Sequence, residues 1–163
     1  MRSVLVLIFF VIVGLMTPPG AAAGLVHAQL DGHAIPVSAI PDLYCHDLDY
    51  PVIRCFRSAE ALDSGTAQAL GSAPLGVTAL PFVAIYQDIE LSGPYSLLAA
   101  DYDNLSSIGW NDRISSFKSL NGYGGRFWTD AVHSGRLVGF APGAIVTYVG
   151  DAYNDSFSSV YRS

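Results

Sequence analysis

The chain has 163 residues, enough for one ordinary domain, and carries 14 acidic against 8 basic residues, a net charge of -6. Lys118 is the single lysine and no basic run occurs, which excludes nucleic acid as a partner, since phosphate contacts need clustered Lys and Arg. Sixteen Gly, nine Pro and nine Tyr beside only two Glu describe strands and turns, and exclude both a long helical bundle and a disordered chain.

In chain order, Arg2 precedes an apolar run from Val4 to Met16, which Thr17-Pro18-Pro19-Gly20 ends. The run is about 13 residues, short of the roughly 18–20 that span a bilayer. A basic start, a short apolar core and a small-residue exit form a secretory signal, with cleavage expected after Ala23 or Ala28. Residues 1–28 are therefore set apart as a signal peptide. The mature protein is expected outside the cell, with no membrane association after cleavage.

Residues 29–81 form an N-terminal accessory segment. Cys45 and Cys55 are the only cysteines, and in an oxidising compartment two cysteines pair. Asp49 to Pro51 is turn-like and Val52-Ile53 is strand-like, so a small disulfide-stapled hairpin is expected. A metal at this pair is disfavoured, because His46 is the one nearby imidazole and a metal needs more ligands. Ser58 is placed to cap a short helix over about Ala61–Leu70, which Gly65 weakens. Gly71 to Pro74 reads as a loop.

From Phe82 onward short alternating strands are separated by Gly, Asn and Asp, and the segment repeats itself. Ile85-Tyr86-Gln87-Asp88-Ile89-Glu90-Leu91-Ser92-Gly93 matches Phe127-Trp128-Thr129-Asp130-Ala131-Val132-His133-Ser134-Gly135 at an offset of 42. Trp110-Asn111-Asp112-Arg113-Ile114-Ser115-Ser116-Phe117 matches Tyr153-Asn154-Asp155-Ser156-Phe157-Ser158-Ser159-Val160 at an offset of 43. One such unit cannot bury both faces of its sheet, whereas two can form a sandwich. Ile85, Leu97, Ile114 and Phe117 are the expected core of the first repeat, and Phe127, Leu137, Ile145, Phe157 and Val160 that of the second.

The duplicated Asn-Asp-x-x-Ser-Ser loops carry the chemistry. Asp112 with Ser115, and Asp155 with Ser158, present carboxylate, hydroxyl and carbonyl oxygens together, the donor set of a hard cation. One loop supplies too few oxygens, but two loops brought together by pseudosymmetry supply two sites. Each site would hold about one carboxylate, which implies the modest affinity of extracellular modules. Asp101-Tyr102-Asp103 fails as an EF-hand start, because Leu105 and Ser106 stand where an oxygen ligand and a glycine are required. Asn104-Leu105-Ser106 and Asn154-Asp155-Ser156 are formal glycosylation sequons, the second inside a loop of interest.

Residues 82–163 resemble the βγ-crystallin family, specifically its microbial calcium-binding branch. The resemblance rests on the two Asn-Asp-x-x-Ser-Ser loops, which look like the family's double clamp, and on the Tyr86–Gly93 and Trp128–Gly135 stretches, which look like its Greek-key hairpins. It implies an all-β fold, a two-Greek-key βγ-crystallin-like sandwich preceded by the short disulfide-stapled segment. It further implies two Ca2+ ions, with Asp112, Ser115, Asp155 and Ser158 giving side-chain oxygens. Arg113 and Ser156 would give backbone carbonyls, as would Gln87 and Thr129 from the hairpins. Each clamp would serve both sites. Ser116 and Ser159 would bond the hairpin turns instead of the metal. Leu91 and His133 depart from the family, which often has an aromatic residue there.

Enzymatic motifs are absent: the sequence holds no Gly-x-Ser-x-Gly, His-Glu-x-x-His or phosphate loop. His46-Asp47 is no acid–base pair if it lies in a strand, since neighbours there point to opposite faces. The expected function is therefore non-enzymatic calcium binding that stabilises the fold. The alternative is a secreted peptidase inhibitor of crystallin-like fold, with the Cys45–Cys55 loop as its reactive element; sequence names no protein partner.

Overall fold

A computed structural model describes residues 25–72 and 79–163. The expected signal lies outside these residues except for 25–28; of the loop expected from Gly71 to Pro74, Gly71 and Ser72 are helical instead, and the rest lies outside the described residues. The N-terminal part supplies β1 (His27–Leu30), β2 (His33–Ile35), a 3-10 turn at Val37–Asp42, β3 (Tyr44–Asp49), β4 (Val52–Phe56) and α1 (Ala59–Ser72). The repeated part supplies β5 (Val83–Tyr86), β6 (Tyr95–Leu98), a 3-10 turn at Leu105–Ile108, β7 (Ser116–Ser119), β8 (Gly125–Asp130), β9 (Ser134–Phe140), β10 (Ile145–Val146) and β11 (Ser159–Arg162). Among the described residues no helix is long and apolar enough to cross a membrane.

The strands form a larger sheet, β10-β7-β5-β6-β3-β4-β1-β2, and a smaller one, β11-β8-β9. Each repeat gives three strands to one sheet and exchanges its remaining extended segment with the other. β10 of the second repeat pairs antiparallel with β7 of the first. Tyr102 of the first repeat bridges Val160 of the second. This reciprocal exchange makes two interlocked Greek keys, and one Greek key alone would leave an open sheet edge and an uncovered face. The fold is thus the expected two-Greek-key, βγ-crystallin-like sandwich.

The core between the sheets is aromatic. Phe117, Phe127, Phe140 and Phe157 pack with ring centroids about 5 Å apart, closest between Phe127 and Phe157 at 4.8 Å. Trp110 and Ile114 are fully buried beside them. Two expected core residues lie elsewhere. Leu137 is 52% exposed and Ile145 59% exposed. Strand register decides both. Leu137 pairs with Trp128, and its neighbour Val138, opposite the buried Phe127, takes the inward place. Ile145 pairs with the exposed Lys118, while Val146 lies opposite the buried Phe117.

Leu97 is buried, but on the outer face of the larger sheet, where it joins Leu62 and Ala84 in a second apolar cluster. α1 covers this face. It runs two residues further at each end than the sequence predicts, with Ser58 Oγ accepting from Ala61 N at 3.3 Å. Gly65 admits the helix close to the sheet, since a Cβ there would run into the Phe56 ring.

The N-terminal segment continues the larger sheet. β3 lies parallel to β6, Cys45 opposite Ser96 and His46 opposite Leu97. The expected stapled hairpin is β3–β4, with Cys45 directly opposite Cys55, their Cα atoms 4.1 Å apart and both sulfurs joined. Ala28, Ile40, Ile53 and the disulfide belong to the same apolar cluster as the Greek-key core.

Candidate cation site at the paired loops

The two loops are built alike, and the pattern of hydrogen bonds shows why each residue type is needed. Ser116 Oγ donates to Asp88 O at 2.6 Å, and Ser159 Oγ to Asp130 O at 2.9 Å. These bonds hold each loop to the hairpin of its own repeat. Gly93 and Gly135 close those hairpins at φ 73° and 78°. A Cβ on either would collide with the Asp88 or Asp130 carboxylate, so only glycine serves there.

Asp112 and Asp155 sit at φ 55° and 51°, a left-handed conformation that Asp tolerates better than most residues. Asn111 Nδ2 donates to Asp112 Oδ2 at 2.6 Å, and Asn154 Nδ2 to Asp155 Oδ2 at 2.8 Å. Each asparagine amide therefore fixes the following carboxylate and leaves that carboxylate's other oxygen free of it.

The loops also hold one another. Asp112 N donates to Phe157 O at 3.0 Å, and Asp155 N to Ile114 O at 3.3 Å. Ser115 N donates to Tyr86 O at 3.0 Å, and Ser158 N to Trp128 O at 2.9 Å. As a result Ser115 Oγ stands 3.4 Å from Asp155 Oδ1, across the repeat boundary. Gln87, Asp88, Asn111, Asp112, Arg113, Ser115 and Asp155 line one open cleft. Gln87 and Arg113 lie outside the strands, as does Ser156.

The second half of the arrangement is less symmetric. Thr129 falls within β8, at the register shift between Trp128 and Asp130. Its hydroxyl accepts from Arg136 N at 2.9 Å. Thr129, Ser156 and Ser158 are not part of the cleft lined by Gln87. Asp88 and Asn111 also line the cleft; both recur in the second repeat, as Asp130 and Asn154, and that recurrence is the signal in the sequence that marks them.

Among the described residues, no three His, Cys, Asp or Glu side chains converge on one point. The cleft's polar groups are instead the carboxylates of Asp88, Asp112 and Asp155, the Ser115 hydroxyl and the Gln87 and Asn111 amides, beside the Arg113 guanidinium. Such an oxygen-rich donor set fits a hard divalent cation and not a thiolate- or imidazole-seeking one. Asn154 Oδ1 is buried without a partner, a further oxygen beside Asp155 that awaits a donor or a cation-bound water.

Taken together, the molecule is a two-motif Greek-key sandwich with an oxygen-lined cleft where its repeated loops meet. No family model matches the chain, and no curated protein does. Solved βγ-crystallin domains are similar to it in structure. A βγ-crystallin from an archaeon is 26% identical, covering 52% of this chain and 99% of its own, with a TM-score of 0.45. A structure described under the evolution of the eye-lens βγ-crystallin domain fold is 22% identical, covering 56% and 93%, with a TM-score of 0.49. A clostrillin double mutant in complex with nickel is 24% identical, covering 50% and 95%, with a TM-score of 0.44.

Proposed function

We propose that this chain is an exported, non-enzymatic calcium-binding protein of the βγ-crystallin type, in which Ca2+ bridges the two repeats and stabilises the fold. The observation that carries the reading is the approach of Ser115 to Asp155 across the repeat boundary, with Gln87 and Arg113 lining the same cleft. One ion would take Asp155, Ser115 and the Gln87 and Arg113 carbonyls. A second would take Asp112, Ser158 and the Ser156 and Thr129 carbonyls. The bound ions supply charge that offsets the crowded carboxylates. The chain's own residues supply the frame: asparagine amides orient the carboxylates, and Ser116 and Ser159 tie the hairpins to the loops. Export would end with cleavage after Ala23, which leaves β1 whole; cleavage after Ala28 would divide it.

The inhibitor alternative receives less support. β3 and β4 are interior strands and both cysteines are buried, so the exposed part of the stapled hairpin is reduced to Asp49, Tyr50 and Arg54.

Mass action gives the test. With about one carboxylate per site, dissociation constants on the order of 0.1 mM are expected. At one hundred times that concentration each site contributes about 2.7 kcal/mol to stability. Two sites raise the melting temperature by roughly 15 °C for a chain of this size. Calorimetric titration of the metal-free protein with calcium, beside thermal melts, should find two equivalents. The double variant Asp112→Ala, Asp155→Ala should melt at the same temperature with calcium as with chelator. A wild-type melting temperature indifferent to calcium would sink the reading.

A further inference from the structure

Asp47 is a carboxylate with 1% exposure, outside both repeated loops. Burying a charge is costly unless donors surround it. Here three do: Ala99 N donates to Oδ1 at 2.5 Å, while Ala100 N and the Tyr102 hydroxyl donate to Oδ2 at 3.0 and 2.9 Å. All three donors belong to the short stretch where the chain leaves β6 and crosses to the other sheet.

That stretch leads directly to one of the two clamp carboxylates. Tyr102 exchanges backbone bonds with Val160 at 2.8 and 3.0 Å, and Leu105 N donates to Ser158 O at 2.8 Å. The 3-10 turn Leu105–Ile108 follows, then Trp110, whose indole N–H donates to Ser96 Oγ at 2.9 Å, then Asp112. Gly109 in this run lies so close to Val37 O that a Cβ would collide with it. The N-terminal segment thus grips the crossing segment at two points, through Asp47 and through the turn at Val37.

The second repeat has no such grip. Its equivalent crossing, Ala141 to Ile145, is held by Ser119, whose hydroxyl accepts from Gly143 N at 2.9 Å, and among the described residues none of the N-terminal segment bonds it. The first crossing is thus held from outside the repeats, by a buried carboxylate and by the turn at Val37.

We infer that Asp47 is a positioning residue for calcium, which sets the affinity of the site that takes Asp112 and leaves the site that takes Asp155 nearly untouched. The inference rests on the calcium reading proposed above. The N-terminal segment, which the Greek keys do not need for their topology, is then a tuning element built onto one of two otherwise matched sites.

The test uses one-site backgrounds in the full exported chain. Asp155→Ala retains the Asp112 site, and Asp112→Ala retains the other. Asp47→Asn, added to each, is titrated calorimetrically with calcium after circular dichroism establishes that the protein is folded. The expected result is an affinity lower by about tenfold in the Asp155→Ala background and unchanged within about twofold in the Asp112→Ala background. A general loosening of the protein would lower both, and an equal loss or no loss in the two backgrounds overturns the inference. Should Asp47→Asn fail to fold, Tyr102→Phe removes one of the three donors and keeps the carboxylate. It should give the same one-sided pattern at about threefold. Calcium binding by the wild-type chain is measured in the same series: its absence removes the calcium reading itself, whereas its presence with a symmetric Asp47 effect removes the positioning role alone.

Discussion

Two adjacent residues on β3 set the acid behaviour of the protein in opposite senses. His46 and Asp47 are each 1% exposed, and they point to opposite sides of the sheet: His46 lies near Phe56 at the α1 face, and Asp47 faces the crossing segment. Burial lowers the His46 pKa to about 4. Burial raises that of Asp47 to about 6, against the pull of its three donors. For Asp47 the folded value lies above the unfolded one, so its contribution to stability is fully present below about pH 4 and is lost as pH rises through about 6. For His46 the folded value lies below, so its contribution is present above about pH 6.5 and is lost as pH falls through about 4. Each is worth on the order of 3 kcal/mol across its window. In the wild-type protein they cancel, and stability should be nearly flat between pH 6 and 4 as far as this pair is concerned. Denaturant melts should separate them. Asp47→Asn should lose stability steeply as pH drops through that range, and His46→Gln should gain it. Parallel curves for the two variants would contradict the assignment.

At the scale of elements, what the sequence discloses is what it repeats. The Asn-Asp-x-x-Ser-Ser loops were legible because their chemistry recurs at a fixed offset, and the roles of Ser116 and Ser159 at the hairpins follow from the same recurrence. Leu137 and Ile145 were not legible as surface residues. A one-residue change of register exchanges a strand's faces, and composition does not report register. Asp47 was not legible either: its three partners lie more than fifty positions away, and nothing local marks a carboxylate as buried. The Ser58 cap marks α1 as an element, but nothing local marks it as a cover for the sheet. Its apolar anchor is Leu62, fully buried against Ala84 and Leu97 on the sheet's outer face. Removing such a side chain costs both its transfer from water and the cavity it leaves, so Leu62→Ala should destabilise the protein by about 3 kcal/mol. Chemical denaturation measures this directly. A loss under about 1 kcal/mol would mean that the helix rests on the sheet without sealing it.

Across the whole molecule the question is whether the N-terminal segment and the Greek keys unfold together. Four physical links join them: the β3–β6 ladder, the packing of Leu62 of α1 on Ala84 and Leu97, the apolar cluster that places Ala28, Ile40, Ile53 and the disulfide with the aromatic core, and the buried bonds of Asp47. Each link buries groups that neither part could satisfy alone, so opening one part exposes the other at a cost comparable to unfolding both. A single cooperative transition follows, and far-ultraviolet circular dichroism and tryptophan fluorescence should report the same midpoint even though both tryptophans lie in the repeats. The disulfide closes a short loop, its ends ten positions apart in sequence. Loop-closure entropy at that length is worth about 3 kcal/mol. Because the bond lies in the shared core, replacing both cysteines by alanine should shift the tryptophan transition as far as the circular-dichroism one. A variant in which the circular-dichroism signal splits, with the tryptophan midpoint unmoved, would instead describe a stapled segment that folds on its own beside an independent sandwich.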